Sequence, residues 1–164
     1  MSDQLLTVGF GGFQPLTAFR FRANNVGTFP EGFDVNQIVD WNITDILTDT
    51  QLAESGGIVT IPPNLAGAWH LFFRGGMDGG NRTVYRYTIR RNGNILSDSA
   101  NFYPNDNNFI SSENHAMDMS WVGVLNAGDQ ISVHLSHVEL FFINSNILDG
   151  TLSNEFGGIF LGQP

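Results

Sequence analysis

The residues best suited to chemistry are four carboxylates, Asp98, Asp106, Glu113 and Asp118. They lie around a segment where Asn101, Asn105, Asn107 and Asn108 add neutral oxygens. A hard cation such as calcium takes an all-oxygen set of this kind. The Asp-x-Asx-x-Asx-Gly spacing of a calcium loop is absent, however, and a solvated acidic loop explains the same residues. The expectation is a chain with no obligatory cofactor and calcium as its one candidate metal. His134 and His137 stand three apart, so on a strand they face opposite sides and cannot chelate one ion together. His70 lies in an apolar run and His115 in a polar one. The chain has no cysteine, which excludes disulfides, thiolate zinc sites and a cysteine nucleophile. It has no lysine either, so no phosphate-cradling loop ends in Gly-Lys-Ser/Thr, and no Gly-x-Ser-x-Gly elbow is present. The residues point away from an enzyme.

A second group is suited to binding. Residues 1–16 form a glycine-rich arm carrying Leu5, Leu6, Phe10 and Phe13, without a period that would let it bury them on itself. Buried aromatics dominate interface energetics, so Phe10 and Phe13 are the expected apolar anchors, with Leu5 and Leu6 beside them in the expected partner-binding set. The charge pattern narrows the partner. All seven cations are arginines between Arg20 and Arg91, set against eight acids up to residue 91, and eight more acids follow with no cation from residue 92 on. Nucleic acid and anionic membrane both want the opposite sign. The first eight residues show no basic leader, and no window of about 20 apolar residues occurs.

The elements that must position these groups read as strands. Ala18–Ala23 alternates, as do Arg82–Arg91 and Met117–Gly123, and Asn92-Gly93 between apolar runs is a strong hairpin signal. Ile38–Ile43 reads as a short strand, Ile58–Ile61 as one ended by Pro62-Pro63, and Gly67–Gly75 as an apolar strand followed by a turn up to Gly80. Thr44–Glu54 has no apolar face and reads as irregular. Val122–Leu135 reads as a hairpin, its turn supplied by Asn126, Gly128 and Asp129, with Ile131, Val133 and Leu135 on the core side. Asp129 is explained there by turn chemistry. With 14 Phe, 19 Gly and 41% hydrophobic residues, the pattern predicts one all-β domain over residues 17–164, a two-sheet jelly-roll sandwich of about ten antiparallel strands.

Three stretches, in order, carry a family likeness. Gly57-Ile-Val-Thr-Ile-Pro-Pro63 with Leu65–Phe73, then Leu125-Asn-Ala-Gly-Asp-Gln-Ile-Ser-Val133, then Phe156-Gly-Gly-Ile-Phe-Leu161, resemble the segments that mark the globular head of complement C1q and the tumour-necrosis-factor superfamily. Trp69 and Ile58 stand where that pattern has Tyr and Phe, and no collagen stalk is present. The resemblance implies a jelly roll that assembles as a homotrimer, with the last strand near the threefold axis. Joined to the aromatic arm, it sets the expectation of a non-enzymatic structural protein. That protein would be a trimeric decoration (cement) protein binding a viral capsid shell at the virion surface. The alternative expectation is a receptor- or glycan-binding extracellular head, with Val26–Val35, Asn101–Asn114, Trp41 or Tyr103 as the recognition surface.

Overall fold

The computed structural model describes residues 16–23, 35–79, 83–98, 113–139, 146–147 and 154–163. Leu5, Leu6, Phe10, Phe13, Tyr103 and Asp106 lie outside the described residues, and of Glu113 only the backbone is described. Within them are eleven strands: β1 (Ala18–Ala23), β2 (Val35–Ile38), β3 (Ile43–Leu47), β4 (Ile58–Thr60), β5 (Gly67–Gly79), β6 (Thr83–Arg91), β7 (Asn94–Asp98), β8 (Glu113–Leu125), β9 (Gln130–Glu139), β10 (Asn146–Ile147) and β11 (Asn154–Gly162). Short 3-10 turns at Thr50–Leu52 and Pro63–Leu65 are the only helical pieces among the described residues.

The strands form two antiparallel sheets. The first runs β3–β1–β11–β5–β8, with β10 pairing the far end of β5. The second runs β7–β6–β9, and β2 and β4 both pair with the other side of β9. One hydrophobic core lies between them, because alternate residues of each strand point inward. Phe19 and Phe21 enter it from β1, and Trp69, Leu71 and Phe73 from β5. Tyr87 and Ile89 come from β6, Ile131, Val133 and Leu135 from β9, and Phe156 from β11. The Trp69 indole N–H is satisfied by donating to the Leu65 carbonyl at 2.9 Å, at the end of the proline-initiated 3-10 turn.

Several expectations hold and several are corrected. Asn92 and Gly93 both have positive φ, 50° and 81°, as a two-residue hairpin turn between β6 and β7 requires. Val122–Leu135, in contrast, is not a hairpin. β8 pairs with β5 in the first sheet, whereas β9 pairs with β2, β4 and β6 in the second, so Asn126–Asp129 is an arch between the sheets. Its free backbone groups find Ile61 instead of a partner strand: Gly128 N–H donates to the Ile61 carbonyl (2.8 Å), and Ile61 N–H to that of Asp129 (2.9 Å). Ile38–Ile43 is likewise not a strand. β2 ends at Ile38, β3 begins at Ile43, and Val39–Asn42 carries the chain from the second sheet to the first. Val39 N–H still bonds Val133 of one sheet and Asn42 N–H bonds Arg22 of the other. The expected turn after Gly75 is strand as far as Gly79, held by pairing with β8 along its whole length.

Trp41 sits at that crossover, buried in the core rather than presented as a stacking platform. Its ring stacks on Phe156 (5.7 Å between centroids, 27°), and Phe156 meets Phe19 edge-on at 5.3 Å. Phe156 therefore joins the crossover, β1 and β11. Replacing it with Ala (Phe156→Ala) is expected to cost about 3–5 kcal/mol of unfolding free energy. Urea unfolding followed by tryptophan fluorescence checks this, and a loss below about 1 kcal/mol would mean the ring is not a keystone of the core.

Candidate functional site

The outward face of the first sheet is the surface on which the described side chains combine most clearly. Inward residues of β5 and β8 alternate with Ala68, His70, Phe72 and Arg74 on one strand and Asp118, Ser120, Val122 and Val124 on the other. Register aligns them in rows. Val124 lies opposite Ala68. Val122 lies opposite His70, which faces Ile159 and, beyond it, Ala18. Ser120 lies opposite Phe72, which faces Gly157 and then Arg20. The last row is charged: Asp118, Arg74, Glu155 and Arg22 in sequence across four strands. The face is thus apolar toward the arch and charged toward the other end.

The charged edge is built of ion pairs on the sheet itself. Arg22 grips Asp45 with Nε and a terminal nitrogen, at 2.5 and 2.6 Å, and Arg20 Nε reaches the same carboxylate at 3.4 Å. Asp45 is itself the extra residue of a bulge in β3, unpaired in the ladder opposite Arg20 and Phe21. Arg74 pairs with Asp118 at 3.0 Å in solvent. At the apolar end three large side chains stay uncovered: Val122 is 65% exposed, Val124 50% and Leu161 55%.

Of the four candidate metal ligands only Asp98 and Asp118 have described side chains, and each is taken by an arginine. Asp98 lies on β7 in the second sheet, where it pairs bidentately with Arg86, and that carboxylate raises the Arg86 pKa further above its ordinary value. Asp118 lies on β8 in the first sheet and pairs with Arg74. Among the described residues no group of three or more potential ligands converges.

The outer face of the second sheet differs in character. Thr88 and Ser132 point outward yet are buried beneath neighbours on their own strands. Arg90 Nε donates to the Thr88 hydroxyl at 3.1 Å, and His134 Nε2 lies 3.0 Å from the Ser132 hydroxyl. Burial of the imidazole, with help from the Arg90 charge, lowers the His134 pKa from 6.5 to about 4.

A third cluster ties the sheets at one end. Asn92 Nδ2 donates to Asp129 Oδ1 (2.7 Å), Gln130 N–H donates to Asn92 Oδ1 (2.8 Å), and Asn126 N–H donates to Asp129 Oδ2 (2.8 Å). Arg91 donates to the Val124 carbonyl at 3.2 Å and stands 3.9 Å from Asp129 Oδ2. The hairpin turn of the second sheet is thereby clamped to the arch that arrives from the first.

Sequence reasoning did not single out Val122, Val124, Ile159 or Leu161. The signal was present. Val122 and Val124 are apolar on the outward phase of a strand whose inward phase already holds Met119 and Leu125, so β8 is apolar on both faces.

Two antiparallel sheets in this order, closed over one aromatic core, form the jelly-roll sandwich of the tumour-necrosis-factor and C1q type. Comparison with solved structures reaches the same fold. A structure of murine APRIL at pH 5.0 superposes with a TM-score of 0.64 at 16% identity, covering 89% of this chain and 99% of that one. The globular domain of zebrafish complement 1qA protein superposes with a TM-score of 0.62 at 14% identity, covering 90% and 99%. At such identity the likeness establishes the fold alone. No protein-family model and no curated protein matches the sequence. Neither neighbour is named as an enzyme, and neither is viral. Among the described residues no helix is long and apolar enough to cross a membrane.

His134 sets a pH dependence. Folding lowers its proton affinity, so between pH 6.5 and about 4 the unfolded chain binds more protons. Stability present above pH 6.5 is lost as the pH falls through that window. The imidazole is only half-buried, so solvent screening cuts the loss to about 1 kcal/mol. Denaturation of the wild type and of His134→Asn across this range should show the difference between them closing as pH falls. Parallel curves would remove His134 from the account.

Proposed function

We propose that this chain is a non-enzymatic head domain that works as a homotrimer, packed through the outer face of its first sheet. The observation that carries the reading is the uncovered apolar end of that face, where Val122, Val124 and Leu161 project from β8 and β11 around Ala68, His70 and Ile159. A contiguous patch of this kind on a sheet marks an interface. Closed cyclic symmetry is the usual way for identical chains to cover one, and the resemblance to C1q and tumour-necrosis-factor heads selects threefold. The charged edge, with Asp45, Arg22, Glu155, Arg74 and Asp118 balanced on the sheet itself, would rim the contact and fix its orientation.

The arm keeps a separate role in this reading. Phe160 N–H donates to the Thr17 carbonyl at 2.9 Å, so the chain enters β1 beside the end of β11, next to the apolar rows. Leu5, Leu6, Phe10 and Phe13 remain the proposed anchors for a further partner. Attachment to a capsid shell was expected from that aromatic arm joined to a trimeric jelly roll. Neither the fold nor its neighbours support it, and the trimer reading does not require it.

Sedimentation equilibrium on the purified protein is expected to give three times the 18.1 kDa chain mass. Val122→Arg is expected to give the single chain mass with an unchanged near-ultraviolet spectrum, because the substitution is on the surface of the lone chain. A monomeric wild type, or an undiminished trimer in the variant, would refute the assignment of this face.

A further inference from the structure

We propose that Asn92 is a conformation-gated deamidation site, shielded by the clamp to Asp129 and destructive of that clamp once converted. The chemistry needs no cofactor. The backbone nitrogen of Gly93 gives up its proton to base or water and attacks Cγ of Asn92; the C–N bond of the side-chain amide breaks, and its nitrogen takes up a proton and leaves as ammonia. The resulting succinimide is then opened by water to aspartate or, through the main chain, to isoaspartate. Glycine in the following position favours the attack because no Cβ obstructs it. Both residues are exposed, and nothing lies within 4 Å of where a Cβ of Gly93 would be, so water reaches the site.

The folded corner holds the amide away from that attack. Its nitrogen donates to Asp129 at 2.7 Å and its oxygen accepts from Gln130 N–H at 2.8 Å, while the Asn92 N–H donates to the Gln130 carbonyl, also at 2.8 Å. To bring Cγ onto the Gly93 nitrogen, both side-chain hydrogen bonds must open. Reaction therefore belongs to molecules whose corner has come apart.

The product cannot rebuild the clamp at neutral pH. Where the amide nitrogen donated, aspartate places a second carboxylate oxygen against Asp129, which is only 8% exposed. Like charges at hydrogen-bond distance oppose each other and raise the proton affinity of the pair. Charged groups around the corner are few. β6 brings Arg90 and Arg91, β9 brings His134, and the Ile61–Ala66 connection, the end of β8 at Val122–Leu125, and Asn94 bring none. Only Arg91 stands close, 3.9 Å from Asp129 Oδ2. Isoaspartate adds a main-chain carbon to a two-residue turn and breaks the Arg91–Asn94 register. Conversion is one-way: it marks a chain that has opened and hinders its return.

Ageing the intact protein in mildly alkaline buffer, with and without urea, and mapping peptides by mass spectrometry reads the gate. Conversion at Asn92 should be slower in the folded chain by roughly ten-fold or more, since two hydrogen bonds must open first. Asp129→Ala should bring the native rate toward the urea rate. Should that variant not fold, Asn92→Asp carries the test. Its urea midpoint should lie below wild type at neutral pH and approach it as acid restores one shared proton, whereas Asn92→Ser should show a deficit independent of pH. Equal rates with and without urea would overturn the gate. An Asn92→Asp deficit that is absent, or that ignores pH, would overturn the effect on the clamp.

Discussion

The C-terminal strand can occupy the middle of the first sheet only because two successive residues in it have no side chain. A Cβ on Gly157 would lie 2.2 Å from the Phe72 ring on the outer face, and one on Gly158 would lie 2.5 Å from Phe19 on the inner face. Phe156, just before them, supplies the ring that Trp41 and Phe19 pack against. The strand thus alternates between filling the core and making room for rings from both neighbours. With β11 in place between β1 and β5, β1 can carry Arg20 and Arg22 to Asp45 on β3, and β5 can pair with β8 along thirteen residues. The outer face with its apolar and charged ends is a consequence of that arrangement.

Polar groups are placed by the same economy. The arch cannot pair its backbone with a neighbouring strand, so its donors and acceptors are satisfied by Ile61 and by one buried carboxylate. Asp129 serves an N–H of its own arch and the amide of Asn92 at once. A carboxylate in that setting is structural: its lone pairs are committed to donors that hold two sheets at a fixed separation.

Much of this was legible in the sequence. Thr44–Glu54, read as irregular, instead contributes most of β3, Ile43–Leu47, a five-residue strand whose alternation is only between half-buried and exposed positions; most of the other failures share one cause. Most strands follow from local alternation, so Ile131, Val133 and Leu135 are assigned to the core from their spacing alone. Sheet membership is not local. Leu125–Gln130 has the composition of a hairpin turn, and only the presence of β5 beside β8 and β6 beside β9 makes it an arch. Trp41 reads as an exposed aromatic because its flanks, Asp40 and Asn42, are polar; its burial follows from a crossover that no short window contains. The arginine partners of Asp98 and Asp118 were likewise out of reach, since each pairing depends on cross-strand register. The outward apolar phase of β8 was visible, but on a strand already rich in inward apolar residues it did not separate from core signal.

The strands also give the body two unlike poles. At one are Leu125, Gln130, Arg91 and Asn94, with short connections, and beside them the start of β1 and the end of β11. At the other are Ala23, Gly79, Glu113, Glu139 and Asn154. Chain entry and exit therefore share the tightly clamped pole. Whatever is joined before residue 16 or after residue 163 leaves from that end, opposite the pole of Ala23, Gly79 and Asn154.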